Sequence, residues 1–509
     1  MHYFDGDMGG IRTYFEYRRS SGLDDFLVDD TTWNDLSGDD VFKRINMGLS
    51  TSGEQYLYYL LRNPAVTRDE YDKRSGLIEI IESDDDLRLK LQNIFMRLGR
   101  RRNARTCEVF KPPEHGLKRI VLYIFLVLIF FASAASLLFT TDFILILVGS
   151  VMLNAILHTN IVTSNEKEVA TLNYSVAMVY AAEKIKKLNY QKLNPYLSSL
   201  YDTLENLKMI KQIGFAPIKN FSGEIAEFLN RIILLDLIVF ELLKNRLGKH
   251  QDDIFVIHEY LGRLDSAIAV TSYRKSLSVF VNPQIDFDSS NIHFHALGLM
   301  HPLVESVVPN NLETVKPVLL TGSNASGKST FLKTVALNAI LAQSICTSLS
   351  EHYRACAFRI YSSMAITDNL LAEESYFISE IKSIRRIINT DTLGQPILCL
   401  IDEILRGTNT IERIAASSEL LMYIEKKGIL CIAATHDIEL CGMLGDYDMK
   451  HFEETIEAGG KIIFDYKIKE GPATSRNAIK LLDSMGFSKE IVNRSNDKAN
   501  RYTKDGKWI

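Results

Sequence analysis

The sequence predicts an α/β P-loop domain joined to an α-helical core or lever domain, the latter carrying a two-helix transmembrane hairpin. Three observations predict it. Pro317-Val318-Leu319-Leu320 reads as a buried strand, Gly322-Ser323-Asn324-Ala325-Ser326-Gly327-Lys328-Ser329 follows as Gly-x-x-x-x-Gly-Lys-Ser, and a periodic helix covers 331–343. Residues 120–139 and 143–162 hold no charged side chain, and each run is long enough to cross a hydrocarbon core at about 1.5 Å per residue. Most of the chain upstream of the loop has apolar residues at helical spacing.

With 509 residues the chain exceeds one core, and about two to four domains are expected. The breaks divide it into a helical core-like domain at 1–110, the hairpin at 118–162 and a helical lever or core domain at 163–280. The P-loop domain follows at 290–495, with a tail at 496–509. A net charge of −5 offers no global argument for a nucleic-acid partner. The six cysteines (Cys107, Cys346, Cys356, Cys399, Cys431, Cys441) lack paired metal spacing and read as reduced thiols of a cytosolic chain. Residues 1–30 mix aromatic with charged side chains and have no apolar segment of the secretory type.

In 1–110 the clearest helix is 51–61, with Ser52 as N-cap and Gln55 completing a capping box. Asn63-Pro64 punctuates it, and a further helical run covers 70–97. A basic cluster comes next: Arg97, Arg100, Arg101, Arg102, Arg105, Lys111, Lys118 and Arg119. The loop between the two uncharged runs has no Lys or Arg, whereas Lys167, Lys184, Lys186 and Lys187 follow the second. By the positive-inside rule this predicts a multi-pass membrane protein with both long portions cytoplasmic. The same arginines suit DNA phosphates or anionic lipid, and beside a spanning segment the lipid is the simpler partner. Residues 163–280 return to amphipathic helix, and 232–243, interrupted by Asp236 and Glu241, reads as a core or partner-facing helix too short to span. Short strands and turns occupy 281–320.

The loop's glycines let successive backbone N–H groups converge on an anion at a helix N-terminus. Gly322, Ser323, Asn324, Ala325, Ser326, Gly327, Lys328, Ser329 and Thr330 are therefore candidates to bind ATP, with Lys328 on the β- and γ-phosphates and the Ser329 hydroxyl on Mg²⁺. Ile397-Leu398-Cys399-Leu400-Ile401-Asp402-Glu403 is an apolar strand ending in two carboxylates. That pattern assigns Asp402 to the metal and Glu403 to the attacking water as general base. A third apolar strand, from Cys431, ends at Thr435-His436-Asp437, where His436 is a second catalytic candidate.

Together these segments resemble the ATPase domain of the MutS mismatch-repair family. The likeness rests on Thr321 to Thr330, on Asp402-Glu403 with Arg406-Gly407-Thr408-Asn409-Thr410, and on Ala434-Thr435-His436. Asp368-Asn369-Leu370 through Ser375-Tyr376-Phe377 and Glu380 resembles the family's signature loop, and His301-Pro302-Leu303 and Glu470-Gly471-Pro472-Ala473-Thr474-Ser475 fit as well. The match covers about 290–495, with a weaker likeness to the family's helical core in 30–110. It implies an ABC-type ATPase fold that dimerises, with Ser375 of one subunit reaching the nucleotide of the other. Glu373-Glu374 stand where the family's loop has a Gly before its Ser. The family's N-terminal mismatch-reading domain has no counterpart in this sequence, so mismatch recognition is not implied, and DNA binding rests on the family alone. Two other functions compete with this reading: an ABC-type transport ATPase, for which Leu36-Ser37-Gly38 is a faint signature, and an ATP-binding membrane scaffold.

Overall fold

The computed structural model describes residues 8–101, 104–106, 116–208, 224–288, 291–323, 326–364, 376–390, 394–456, 462–473, 479, 482–483 and 485–505. They form two compact units, which interleave along the chain. One comprises Met1–Asp24, Ile45–Leu60 and Ser75–Ser276; the other comprises Asp25–Arg44, Leu61–Arg74 and Leu277–Ile509.

The first unit is helical. Helix α1 spans Thr51–Arg62. Its N-cap is Ser50, whose hydroxyl accepts from the Gly53 N–H at 3.1 Å. The expected capping box at Ser52 and Gln55 does not form, because both side chains are buried and engaged elsewhere. Ser52 meets the Tyr174 hydroxyl at 3.1 Å, and Gln55 donates to the Gly10 carbonyl at 2.9 Å. The predicted run over 70–97 is two helices, α2 (Arg68–Ser83) and α3 (Asp85–Leu98). Asp84 parts them, because its carboxylate accepts from the Leu87 N–H at 2.8 Å and starts a new N-terminus.

The uncharged runs form α4 (Gly116–Ser136) and α5 (Ile144–Ser164), both long and apolar enough to cross a membrane. Their outward side chains are apolar, with Phe125 58%, Leu128 60% and Leu145 80% exposed. Helices α6 (Glu166–Leu188), α7 (Asn194–Asn206), α8 (Glu224–Ile233), α9 (Leu235–Lys249) and α10 (Gln251–Ser276) complete the unit. The single helix expected over 232–243 is broken at Leu234, which is left-handed at φ +53°. The break frees the Ile232 carbonyl, and Asn154 of α5 donates to it at 2.8 Å. Tyr123 of α4, Leu234 and Leu237 form the small core that joins α8 and α9 to the apolar pair.

The second unit contains two main sheets. In the mixed four-stranded sheet the order is β1 (Gln284–Asp286), β5 (His352–Cys356), β2 (Phe294–Leu299) and β3 (Asn310–Thr314). The six-stranded sheet takes β4 (Val318–Thr321) between β9 (Asp448–His451) and β8 (Leu430–Ala434). It continues through β7 (Ile397–Asp402) to β6 (Arg359–Ser363), all parallel, and β12 (Lys469–Glu470) closes the other edge antiparallel. A separate antiparallel pair, β10 (Glu454–Ile456) with β11 (Ile462–Phe464), lies between β9 and β12 in the chain. Helices α11 (Lys328–Ser344), α12 (Tyr376–Ile388) and α13 (Thr410–Lys426) follow β4, β6 and β7, and α14 (Lys489–Asp505) ends the chain. Strands β4 and β8 are wholly buried, which is why they read as continuous apolar runs.

The short helix Asp30–Asp35 belongs to this unit, with the Ser362 hydroxyl donating to Asp35 at 2.7 Å. Gly38, in the tripeptide that faintly resembles a transporter signature, lies under Trp33. A Cβ there would meet the indole at 2.2 Å, so close packing explains the glycine.

Candidate functional site

Parallel pairing of β4 with β8 and β9, and of β7 with β8, brings three strand ends to one edge of the sheet. Ligands bind at such an edge in open α/β sheets. Gly322 turns the chain out of β4 at φ +141°, and a Cβ there would fall 2.5 Å from the Phe452 carbonyl oxygen. Gly327, at φ +107°, opens α11, and its carbonyl accepts from the Phe331 N–H at 2.9 Å. Both positions need glycine, for close approach and for left-handed backbone. Asn324, Ala325 and Ser375 lie outside the described residues, as do Asp368 to Leu370 and Glu373-Glu374.

Lys328 is buried and folds back over the loop, donating to the Gly322 and Ser323 carbonyls at 2.8 Å each. Desolvation pulls its pKa down to about 8, against the attraction of Asp402, Glu403 and Glu454. The Ser323 hydroxyl donates to Glu454 at 2.7 Å. Ser326 is buried and its Oγ has no hydrogen-bond partner among the described residues, while Ser329 and Thr330 open α11. Asp402 ends β7 with its pKa raised by burial, although a hydrogen bond from Ser329 opposes the shift. A hydroxyl and a half-buried carboxylate side by side are hard oxygen donors of the kind Mg²⁺ takes.

Glu403 sits at φ +59°, and its N–H donates to the Ala434 carbonyl at 2.9 Å. Its carboxylate contacts His436 Nε2 through one oxygen and Arg406 Nε at 3.0 Å through the other. The His436 hydrogen bond is the main reason its pKa is lowered. The other nitrogen of the ring, His436 Nδ1, lies 2.9 Å from the Gly322 carbonyl, so this side chain links the loop after β4 to the β7 carboxylate. Leu405 is also left-handed, at φ +57°. Non-glycine residues in that region cost about 1–3 kcal/mol each and persist where surrounding contacts over-determine them.

The structure thus brings Gly322, Ser323, Lys328, Ser329, Asp402, Glu403 and His436 to one place, within the second unit. It also adds residues that no spacing announced. A cavity of about 510 Å³ adjoins the loop, bounded by Leu299, His301, Val308, Phe452 and Tyr466 among others. His301 Nδ1 accepts from the Leu303 N–H at 3.1 Å, and burial lowers the ring's pKa to about 4, so it serves as a neutral wall. Glu454 and Tyr466 arrive through the connection between β9 and β12, more than a hundred residues beyond the loop, and only sheet pairing reveals them. Arg413 of α13 holds Asp437 through two bonds of 2.8 and 2.6 Å, which ties the His436 turn to a helix.

Residues 318–503 match the family model for MutS domain V. Among curated proteins the chain is similar to the DNA mismatch repair protein MutS of Fervidobacterium nodosum, 27% identical over 309 residues, 58% of this chain and 37% of that protein. It is similar also to the protein of the same name from Fusobacterium nucleatum, 28% identical over 298 residues (55% and 32%). With a Thermus thermophilus protein of that name it shares 32% identity over 201 residues, 38% of this chain and 24% of the other. The matched segments cover about a third or less of the length of these relatives.

Proposed function

The chain belongs to the MutS family through its domain V, and from that premise we propose that it binds Mg·ATP at the β4 loop and hydrolyses it. The observation that carries the reading is the convergence of Lys328, Ser329, Asp402, Glu403 and His436 at one sheet edge. In this reading the loop amides and Lys328 grip the phosphates, the lysine exchanging its carbonyl partners for phosphate oxygens. Ser329 and Asp402 would hold Mg²⁺, which neutralises charge on the β- and γ-oxygens when bound. Glu403 orients and deprotonates the attacking water, and His436 keeps that carboxylate aimed and ionised. The apolar cavity beside the loop, with Tyr466 and Phe452 on its wall, takes the base. The domain is of the ABC type and works as a homodimer, with Ser375 acting across the pair.

The helical unit serves as the lever, and α4 with α5 anchors it in lipid. Their exposed apolar side chains support that placement, because a soluble surface rarely presents so large an apolar patch. Contact with DNA comes from the relatives' names alone, and retention of DNA by detergent-solubilised protein at low salt tests it.

The deciding experiment is turnover of Mg·ATP by the purified chain and by two variants. Glu403→Gln is expected to bind ATP and cease hydrolysis, and Lys328→Ala to weaken binding itself. Unchanged phosphate release from Glu403→Gln would remove Glu403 from its role.

A further inference from the structure

We propose that Glu380 is a positioning residue for hydrolysis: its buried carboxylate holds the left-handed turn that aims Glu403. The inference rests on the reading of Glu403 as general base. The turn from Asp402 to Arg406 contains two non-glycine residues at positive φ, Glu403 and Leu405, separated by a single residue. Such a turn must present its N–H groups to partners outside itself, since neither helix nor ladder satisfies them. The Glu403 N–H is taken by the Ala434 carbonyl of β8. The Leu405 and Arg406 N–H groups are taken by one oxygen of Glu380, the second at 3.4 Å. Glu380 comes from α12, the helix that precedes β7 in the chain.

Helix α12 is itself well held. Ile384 and Ile387 pack into the core that includes Ile401, Ile404 and Leu405, and Arg386 donates to the Ser362 carbonyl of β6 at 2.6 Å. At its N-terminal end Phe377 lies against Gly407, where an added Cβ would meet the phenylalanine at 3.2 Å. The turn is therefore clamped from β8 on one side and α12 on the other. Glu403 and Arg406 are the charged groups that face Glu380. The second oxygen of Glu380 is buried without a hydrogen-bond partner among the described residues, so full ionisation is not what its packing satisfies. What the turn uses is an acceptor oxygen, which an amide also supplies.

The test is single-turnover and steady-state hydrolysis with Mg·ATP, with nucleotide affinity measured separately. Glu380→Ala is expected to lower kcat about 100-fold, as displacement of a reacting group by an ångström does, and to leave affinity for Mg·ATP little changed. Glu380→Gln, which keeps the acceptor, is expected to restore most of the rate. In a Glu403→Gln background Glu380→Ala should cost nothing further, since both act through one carboxylate. Wild-type turnover with an unimpaired Glu380→Ala overturns this inference alone. So does a loss that appears equally in affinity, or one that adds fully to Glu403→Gln. A wild-type chain that binds Mg·ATP and never hydrolyses it overturns the catalytic reading of the site, and this inference with it.

Discussion

Two ionisable side chains at the site have been moved in ways that make their chemistry measurable. His436, and then Arg406, hold the Glu403 carboxylate below its ordinary range. A carboxyl group whose folded pKa is depressed contributes stability that is present above its unfolded pKa and lost as pH falls through the folded one. In the proposed mechanism the same sign applies to catalysis, since Glu403 acting as base would stay ionised into mildly acidic solution. His436→Ala removes the main cause, so the acid limb of the kcat profile is expected to move to higher pH, and an unmoved limb would contradict the assignment. Lys328 is also shifted down, to about 8, but by burial, which disfavours its charged form. Binding of ATP should return it to the charged form, because phosphate oxygens favour the ammonium. Calorimetry in buffers of different ionisation enthalpy should therefore show proton uptake on ATP binding near pH 8–9, and none in Lys328→Ala. Lys328 and Asp402 stood out as candidates because the Gly-x-x-x-x-Gly-Lys-Ser spacing and the end of an apolar strand are local signals. Tyr466 was not legible because the loop it faces is more than a hundred residues upstream, and the contact of Glu380 with the Leu405 N–H was not, because spacing does not say which backbone group a helix side chain will meet.

At the scale of elements, helix termini decide much of the helical unit. The start of α1 is held by Asp265 of α10, which is fully buried. Its carboxylate accepts from the Ser50 N–H at 2.8 Å, the Ser50 hydroxyl at 2.6 Å and the Leu49 N–H at 3.0 Å. Gly53 is required beside it, since a Cβ there would lie 2.0 Å from the carboxylate. Burial nonetheless pushes the Asp265 pKa up to about 6. A raised folded pKa contributes stability that is complete below the unfolded value and lost as pH rises through about 6. Asp265→Ala leaves buried donors unsatisfied and is expected to cost about 2–3 kcal/mol in chemical denaturation. A change within experimental scatter would show that water takes the place of the carboxylate. Sequence reasoning points to a cap at Ser52 because Ser and Gln three apart form a known local pattern. Burial of that turn beneath α6 and α10 chose Ser50 instead.

For the whole molecule, the testable consequence is the placement of α4 and α5. If they anchor the chain, the full-length protein should remain with membranes through alkaline carbonate extraction and float with lipid vesicles. Release into the soluble fraction would return the two helices to the category of packing elements. The sequence by itself determined the glycine-rich turn after β4, the strand ending in Asp402 and the two uncharged helices, since each signal lies within a few turns of chain and depends on spacing or length. Tertiary structure decided the interleaved division that puts Asp25–Arg44 and Leu61–Arg74 with the unit that holds the six-stranded sheet. It also decided the break at Leu234 and the clamp on the Glu403 turn. Those features depend on which distant segment supplies a buried partner to a backbone group or an apolar face, and periodicity carries no information about that choice.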